Sequence, residues 1–91
     1  MVAQKLRTFH LKNHRDNFLA IEVTMTNIHK LKTSIAMYVQ DVKIDDDERL
    51  IIKNRDDSIF NIKINEMLII DETFHVFNMN KETFNYLFKE V

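Results

Sequence analysis

The sequence predicts a mainly β fold, a small antiparallel barrel followed by a C-terminal amphipathic helix, and three observations support this prediction. Apolar and polar residues alternate with the two-residue period of half-buried strands through several segments. Clusters of Asn and Asp separate those segments and mark turns. After Asn80 the apolar residues change to the spacing of a helix, so the strands are expected to end near that point.

The strongest strand signals form a predicted hairpin between Phe18 and Val39, with its turn at 27–29. Its apolar residues occupy odd positions: Leu19, Ile21, Val23 and Met25 in the first strand, and Leu31, Ile35, Met37 and Val39 in the second. After Val39 the apolar phase shifts by one residue, because Val42 occupies an even position. A β-bulge near Gln40 and Asp41 explains the shift and predicts a sharp bend there.

The remaining strands are predicted from the same alternation and from the polar residues between them. The acidic run 45–48 predicts a loop, further turns are predicted at 55–57, 65–67 and 71–72, and strands are predicted at 50–54, 58–64, 68–70 and 73–78. The core is expected to include Ile35, Met37, Ile62 and Ile64.

The two ends of the chain differ in pattern. A helix is predicted over 81–91, because Asn80 is a favourable N-cap and Met79 and Phe84 are spaced for a hydrophobic staple. One helical face, expected to seal the open end of the barrel, carries Phe84, Leu87, Phe88 and Val91. Residues 4–12 fit either a helix or a strand, and the alternation of polar with apolar residues there favours a strand.

The composition bounds the class of protein. The chain has 91 residues, no glycine, proline or cysteine, and a net charge of −1, which indicates one domain over 1–91 with a barrel core at about 18–78. Without glycine, every turn depends on Asn and Asp, and the Gly-rich loops that bind phosphate are excluded. Without cysteine, disulfides and thiolate metal sites are excluded, and a cytoplasmic location is expected. The abundance of Ile, Asn and Lys is typical of an AT-rich genome, such as that of a low-GC bacterium or its phages.

Three segments carry a resemblance to a known family: the hairpin entry Val23–Asn27, the long bent strand Thr33–Tyr38 and the closing segment Phe60–Ile70. Together they resemble the small SH3-like barrel of the Sm-like proteins, and in particular the YolD-like family. RNA-binding Sm proteins place Gly where this chain has Ile28 and Asp where it has Val39, so the resemblance does not carry over their RNA pocket. A run of antiparallel strands closed by a C-terminal helix is also similar to the pleckstrin-homology superfold, whose members bind lipids or peptides, and both architectures stay open.

No residue pattern in the chain predicts an enzyme, a cofactor or a metal ion. The acidic run 45–48 lacks the spacing and the glycine of an EF-hand loop. Nothing in the sequence converges on the histidines, which are His10, His14, His29 and His75. Ser34 and Ser58 do not stand in the sequence context of a nucleophile.

The predicted function is that of a non-enzymatic binding or regulatory module for a protein partner, of the kind that mobile elements encode. The alternative is an Sm-like nucleic-acid-binding protein, whose contacts would come from basic and aromatic residues: Lys30, Lys32, Tyr38, Lys53, Arg55 and Lys63, with Phe60 nearby. No membrane partner is expected. A homo-oligomer, a dimer rather than a ring, is predicted because the segments 50–52 and 68–70 are apolar enough to pair as edge strands.

Overall fold

The chain folds into two antiparallel sheets and two short helices, which confirms the prediction of a mainly β fold with a C-terminal helix. The computed structural model describes residues 6–12 and 14–91. In chain order its elements are β1 (Arg7–Leu11), β2 (Asn17–Glu22), α1 (Ile28–Ile35), β3 (Asp41–Ile44), β4 (Leu50–Lys53), β5 (Ile59–Ile62), β6 (Glu66–Ile70), β7 (Val76–Asn80), α2 (Lys81–Leu87) and β8 (Phe88–Glu90). Neither helix of this described part is long or apolar enough to cross a membrane.

The strands form a larger sheet in the order β7-β6-β2-β1-β8 and a smaller sheet in the order β3-β4-β5. Within residues 6–12 and 14–91 no ladder joins the two sheets, so they form two packed layers and not the predicted closed barrel. β4 and β6 are each paired on both sides. The segments 50–52 and 68–70 therefore lie in sheet centres, and the edge-strand argument for a homo-oligomer is wrong, although self-association itself stays a prediction.

Two apolar cores lie on the two faces of the larger sheet. The first fills the space between the sheets and under α1, and the second lies on the opposite face under α2. The two-residue period of β6 divides its side chains between the cores: Leu68 and Ile70 enter the first, and Met67 and Ile69 enter the second. Because β6 is buried on both faces, it reads as an unbroken apolar run in the sequence.

The segment predicted as the second strand of the hairpin is instead helix α1. Ile28, Leu31 and Ile35 are buried at helical spacing, whereas Met37, which the strand would have buried, is 68% exposed. The error has a physical origin, because Leu31, Ile35 and Val39 are four residues apart and also all odd-numbered. The pattern of these three residues fits both periods.

A hydrogen-bonded turn separates β2 from α1. Thr24 Oγ1 accepts a hydrogen bond from the Asn27 N–H at 3.1 Å, and Asn27 Oδ1 accepts one from the Thr24 N–H at 2.8 Å. This reciprocal pair closes the turn at 24–27, between the end of β2 and the start of the helix, in the manner of a capping box. Asn27 Nδ2 also donates to the Glu22 carbonyl at 2.8 Å, which ties the turn to the end of β2.

The phase shift predicted at Gln40 and Asp41 is present, but it lies at the start of β3 and not inside a long strand. The Gln40 N–H donates to the Lys53 carbonyl at 2.9 Å, and Asp41 is paired with Lys53 in the ladder. Gln40 and Asp41 therefore both lie opposite Lys53, as in a β-bulge. The bend joins helix α1 to a strand.

Both chain ends contain strands. β1 confirms the strand alternative for the described part of 4–12, while residues 4 and 5 lie outside the described residues. The C-terminal helix is shorter than predicted, because it ends at Leu87 and Phe88 begins a strand that pairs with β1. Phe84 and Phe88 are buried as predicted, but Leu87 is 38% exposed. Val91, also predicted for the buried helical face, is exposed.

Several local predictions are confirmed around these elements. Asn80 caps α2, since its Oδ1 accepts from the Thr83 N–H at 2.8 Å. Met79 and Phe84 share the second core, as the staple requires. Of the four residues expected in the core, two are buried, one is half-buried and one is exposed, in the order Ile35, Ile62, Ile64 and Met37.

Candidate functional site

Three loops meet at one end of the molecule: the segment 36–40 after α1, the β4–β5 turn at 54–58 and the β6–β7 turn at 71–75. The Arg55 guanidinium donates to the Met37 carbonyl, with 2.9 Å between Nη2 and O. The ring of Tyr38 stacks on that of Phe74, with 5.1 Å between centroids and an interplanar angle of 6°. We call Met37, Tyr38, Arg55 and Phe74 the three-loop surface.

The three-loop surface presents large apolar side chains to solvent. Met37 is 68% exposed and Phe74 is 50% exposed. Tyr38 is half-buried and packs against the first core. Because Phe74 stacks on a ring that the core holds in place, the exposed aromatic face has a fixed orientation.

The backbone of Phe74 is unusual for an aromatic residue. The Phe74 N–H donates to the Asp71 carbonyl at 3.0 Å, and the Asp71 N–H donates to the His75 carbonyl at 3.1 Å, which closes a three-residue hairpin loop. The last residue of such a loop is normally left-handed and is normally Gly. Phe74 adopts this conformation with φ 64°, at a cost of about 1–2 kcal/mol. Gly or Asn would form the turn more easily.

A polar network beneath this surface joins the two turns. Asn54 is 2% exposed, and its amide pairs with both backbone groups of Val76, each bond being 2.8 Å. Asn54 Nδ2 also donates to Ser58 Oγ at 3.2 Å. Ser58 Oγ donates to Asp56 Oδ1 at 2.5 Å and lies 3.0 Å from His75 Nε2. The network therefore holds the turns at 54–58 and 71–75 in one arrangement.

Ser58, His75 and Asp56 are the residue types of a hydrolase triad, but their geometry differs from one. Ser58 Oγ and Asp56 Oδ2 both lie against Nε2 of His75, at 3.0 and 3.4 Å. In a triad the acid bonds Nδ1, so that Nε2 can accept the serine proton. Here the Ser58 hydroxyl donates to Asp56 instead. The arrangement braces two turns and does not activate a nucleophile.

Two carboxylates beside the three-loop surface are stabilised in their charged form. The hydroxyl and the N–H of Ser58 donate to Asp56 and lower its pKa below the usual 3.8. At Asp71, burial acts to raise the pKa, but hydrogen bonds from the Thr73 hydroxyl and from the N–H groups of His75 and Thr73 lower it overall. Both groups are anionic at neutral pH, so the border of the surface is negative.

The structure brings together two of the six residues predicted to bind nucleic acid, since Tyr38 and Arg55 both belong to the three-loop surface. Lys30 and Lys32 project from different sides of α1, because residues two apart on a helix do not share a face. The predicted strand would have placed these two lysines side by side. They therefore do not form the predicted basic patch with one another.

Of the remaining two, Lys53 lies on the outer face of the smaller sheet, and Lys63 directly follows β5. The register and the two-residue alternation place Lys43 on the same face, and the sequence reasoning missed it. Lys53 Nζ is 3.7 Å from Asp57 Oδ1, so its charge is partly neutralised. This face is distinct from the three-loop surface.

The sequence reasoning also missed Met37 and Phe74 as surface residues. The two-residue period assigned Met37 to the core, and Phe74 fell inside the strand predicted at 73–78. A signal for Phe74 exists in the sequence, because Asp71 starts a turn whose fourth residue is Phe74, just as Asp45 and Asn54 start turns. The fourth residue of each such turn is exposed.

No group of three or more His, Asp or Glu side chains in the described part of the chain is placed to hold a metal ion. His10 Nε2 lies 2.7 Å from Asn17 Oδ1, and His75 belongs to the network under the three-loop surface. In the acidic run, Asp45 accepts N–H hydrogen bonds from Asp47 and Arg49, so it closes the β3–β4 turn.

Comparisons with protein-family models, with curated proteins and with solved structures found no significant match to this chain. The resemblance to the Sm-like and YolD-like barrels, and the alternative resemblance to the pleckstrin-homology superfold, therefore stay predictions. Of the segments that carry the first resemblance, 33–38 lies in and just after α1, and 60–70 forms a strand, a turn and a strand. The functional conclusion rests on the chain's own geometry.

Proposed function

We propose that the chain is a non-enzymatic binding module that recognises a protein partner through the three-loop surface. The single observation that carries the proposal is Phe74, which is half-exposed, stacked on Tyr38 and held at φ 64° where the turn itself favours Gly or Asn. Local backbone strain of this kind concentrates at functional positions. An exposed aromatic ring that costs stability has its most direct explanation in contact with another molecule.

The residue types of the three-loop surface suit a protein partner. Aromatic residues, Met and Arg are enriched at protein interfaces, and aromatic and Arg side chains dominate their binding energy. Tyr38 and Phe74 supply a rigid aromatic pair, Met37 supplies an adaptable side chain, and Arg55 is held against the Met37 carbonyl. A surface ordered before binding loses less entropy when the partner arrives.

The charge around the surface favours protein over nucleic acid. Asp56 and Asp71 border it, and Asp57 and Glu72 are exposed in the same two turns. Nucleic-acid affinity depends on neutralising phosphates with Lys and Arg, so this acidic border opposes it. The bases of a single strand could stack on Phe74 only against that repulsion.

The experiment pans a display library of genomic fragments, taken from the organism that encodes the chain, against the full chain. Selected fragments are then measured against Phe74→Gly, which keeps the left-handed turn and removes the ring. We expect their affinity to fall by about 2 kcal/mol, roughly thirtyfold in Kd, because an aromatic anchor is lost.

The matched control is Glu48→Gly, which makes the same change at the left-handed position of the β3–β4 turn. Fragments that use the three-loop surface should bind this variant as they bind the wild type. Equal binding to wild type and to Phe74→Gly would contradict the proposal. So would micromolar binding of short single-stranded oligonucleotides that weakens steeply with salt, since that behaviour indicates a phosphate-binding protein.

A further inference from the structure

The smaller sheet has an open edge along β3. β3 pairs with β4 alone, and the Asp45 N–H donates to the Arg49 carbonyl at 3.0 Å where the hairpin closes. Hydrogen-bonded positions alternate along an antiparallel pair, so Asp41 and Lys43 bond β4 as Asp45 does. The N–H and C=O groups of Val42 and Ile44 therefore point away from the sheet. Among residues 6–12 and 14–91, none pairs with them.

A groove of about 440 Å³ runs between this edge and helix α1. One flank of α1 and the start of β3 line it: Lys32, Thr33 and Ala36 from the helix side, and Gln40, Asp41 and Val42 from the strand side. Ala36 is small and exposed, so it leaves space beside the outward backbone groups of Val42. The groove thus combines a free strand edge, a space for a side chain and a helix wall.

We propose that this groove binds an extended segment of a partner protein that carries both an acidic and a basic side chain, and that the segment adds to the smaller sheet as a strand beside β3. The segment's backbone pairs with the outward N–H and C=O of Val42. One apolar side chain of the segment packs on Ala36 and Val42, its carboxylate pairs with the Lys32 ammonium, and its basic side chain pairs with the Asp41 carboxylate.

Two observations select this occupant. Backbone groups at an open strand edge are satisfied by another extended chain, and a groove beside the edge gives such a chain its specificity. The ion pairs of the described residues include neither Lys32 nor Asp41, the two charged residues that line the groove. A segment that carries an acidic and a basic side chain supplies a partner for each.

The test pans a phage-displayed library of random nonapeptides against the full chain, and the selected peptides are then synthesised. We expect them to combine an apolar residue with an acidic one and a basic one. Ala36→Arg, which fills the groove from the exposed position just after α1, should weaken their binding at least about tenfold. Lys32→Glu should have a similar effect, because the pairing charge is reversed. Amide exchange of Val42 should slow when the peptide is bound.

Two further variants assign the binding to the groove. Lys30→Glu makes the same charge reversal on a different side of α1 and should leave peptide binding unchanged. Phe74→Gly should also leave it unchanged, because none of the residues that line the groove belongs to the three-loop surface. Failure to select any peptide, undiminished binding to Ala36→Arg or unchanged exchange at Val42 would each overturn the inference. Peptides that lose affinity only for Phe74→Gly would overturn it as well, while supporting the proposed function.

Discussion

At the scale of single residues, three hairpin loops use two special positions in place of glycine: an Asn or Asp at the start and a left-handed residue near the end. Three hairpin loops start with an Asx residue, which is Asp45, Asn54 or Asp71. Asp45 and Asp71 accept N–H hydrogen bonds from their own loops. Four non-glycine residues take the left-handed conformation, with φ from 58° to 77°: Glu48, Asp57, Asn65 and Phe74. The prediction that Asn and Asp carry the turns is thus right for the first position of these three loops and for only half of the left-handed residues, and the turn around Asn65 starts with Lys63.

The four left-handed residues are not equivalent. Asn and Asp tolerate this conformation because their short polar side chains can bond locally. Phe74 has no such compensation within its own turn, and its ring gains a stacking contact with Tyr38 instead, worth about 0.5–1.5 kcal/mol. That gain is no larger than the backbone cost. Because stacking does not exceed the backbone cost, stability alone does not explain Phe74, which supports a role in binding another molecule.

Acid should weaken the turn that presents Phe74. Because the pKa of Asp71 is lower in the folded chain than its usual 3.8, the unfolded chain takes up a proton first as the pH falls. The stabilisation is therefore full above the unfolded pKa and is lost as the pH falls through the folded one. The free energy of unfolding, measured by urea denaturation between about pH 5 and pH 2, should fall more steeply for wild type than for Asp71→Asn. Equal slopes would show that Asp71 is not differentially stabilised as a carboxylate.

At the scale of elements, burial decides between helix and strand where the sequence fits the period of both. The sequence correctly predicts β4, the start of β2 and the start of α2, because each has one period and a clear turn or cap at that border. The strand predicted over 18–26 is wrong beyond Glu22, where β2 ends. The sequence fails for α1, where Leu31, Ile35 and Val39 fit a strand and a helix alike. Ile28 would have favoured the helix, since it joins the buried face of Leu31 and Ile35 only with helical spacing. The predicted end of α2 is wrong for another reason. The chain leaves the helix at Phe88 to pair with β1, and no local pattern indicates this long-range contact.

The end of α2 can be tested with two neighbouring residues. Leu87 is 38% exposed and Phe88 is 5% exposed, so Leu87→Asp should destabilise the fold by less than about 1 kcal/mol. Phe88→Asp should cost several times more, because it places an unpaired charge in the second core. Urea denaturation of both variants measures the difference. Equal large losses would contradict the strand at Phe88–Glu90 and favour the helix that the sequence periodicity predicts through Val91.

At the scale of the whole molecule, asparagine side chains replace a strand ladder between the two sheets. Asn54, just after β4, pairs with both backbone groups of Val76 on β7. Asn78 of β7 donates to the Asn61 carbonyl of β5 at 3.1 Å. On this side the layers are thus joined by amides, while α1 packs beside β3 on the other. The chain thus has the strand content of a barrel, but side-chain amides stand where a closed barrel would have a ladder.

The candidate site could be predicted only in part, because the sequence indicates residue types but not which loops meet. Tyr38 and Arg55 were identified from their types, but three loops distant in sequence bring them to one surface with Met37 and Phe74. No local pattern encodes that meeting, because it depends on how the two sheets pack. Lys30 and Lys32 are predicted to share one face of a strand that is in fact helix α1. Residue chemistry was therefore more predictable than residue placement.

The joint between the sheets gives the last prediction. Asn54→Ala leaves the Val76 N–H and C=O buried without partners, so the free energy of unfolding should fall by about 2–4 kcal/mol. Asn78→Ala is the matched control, because its amide bonds lie in a less buried place and their loss should cost about 1 kcal/mol or less. Urea denaturation compares the two variants, and amide exchange at Val76 should accelerate only in Asn54→Ala. If both variants lose the same small amount, the buried amide is not what joins the two layers, and the apolar core between them holds the sheets together alone.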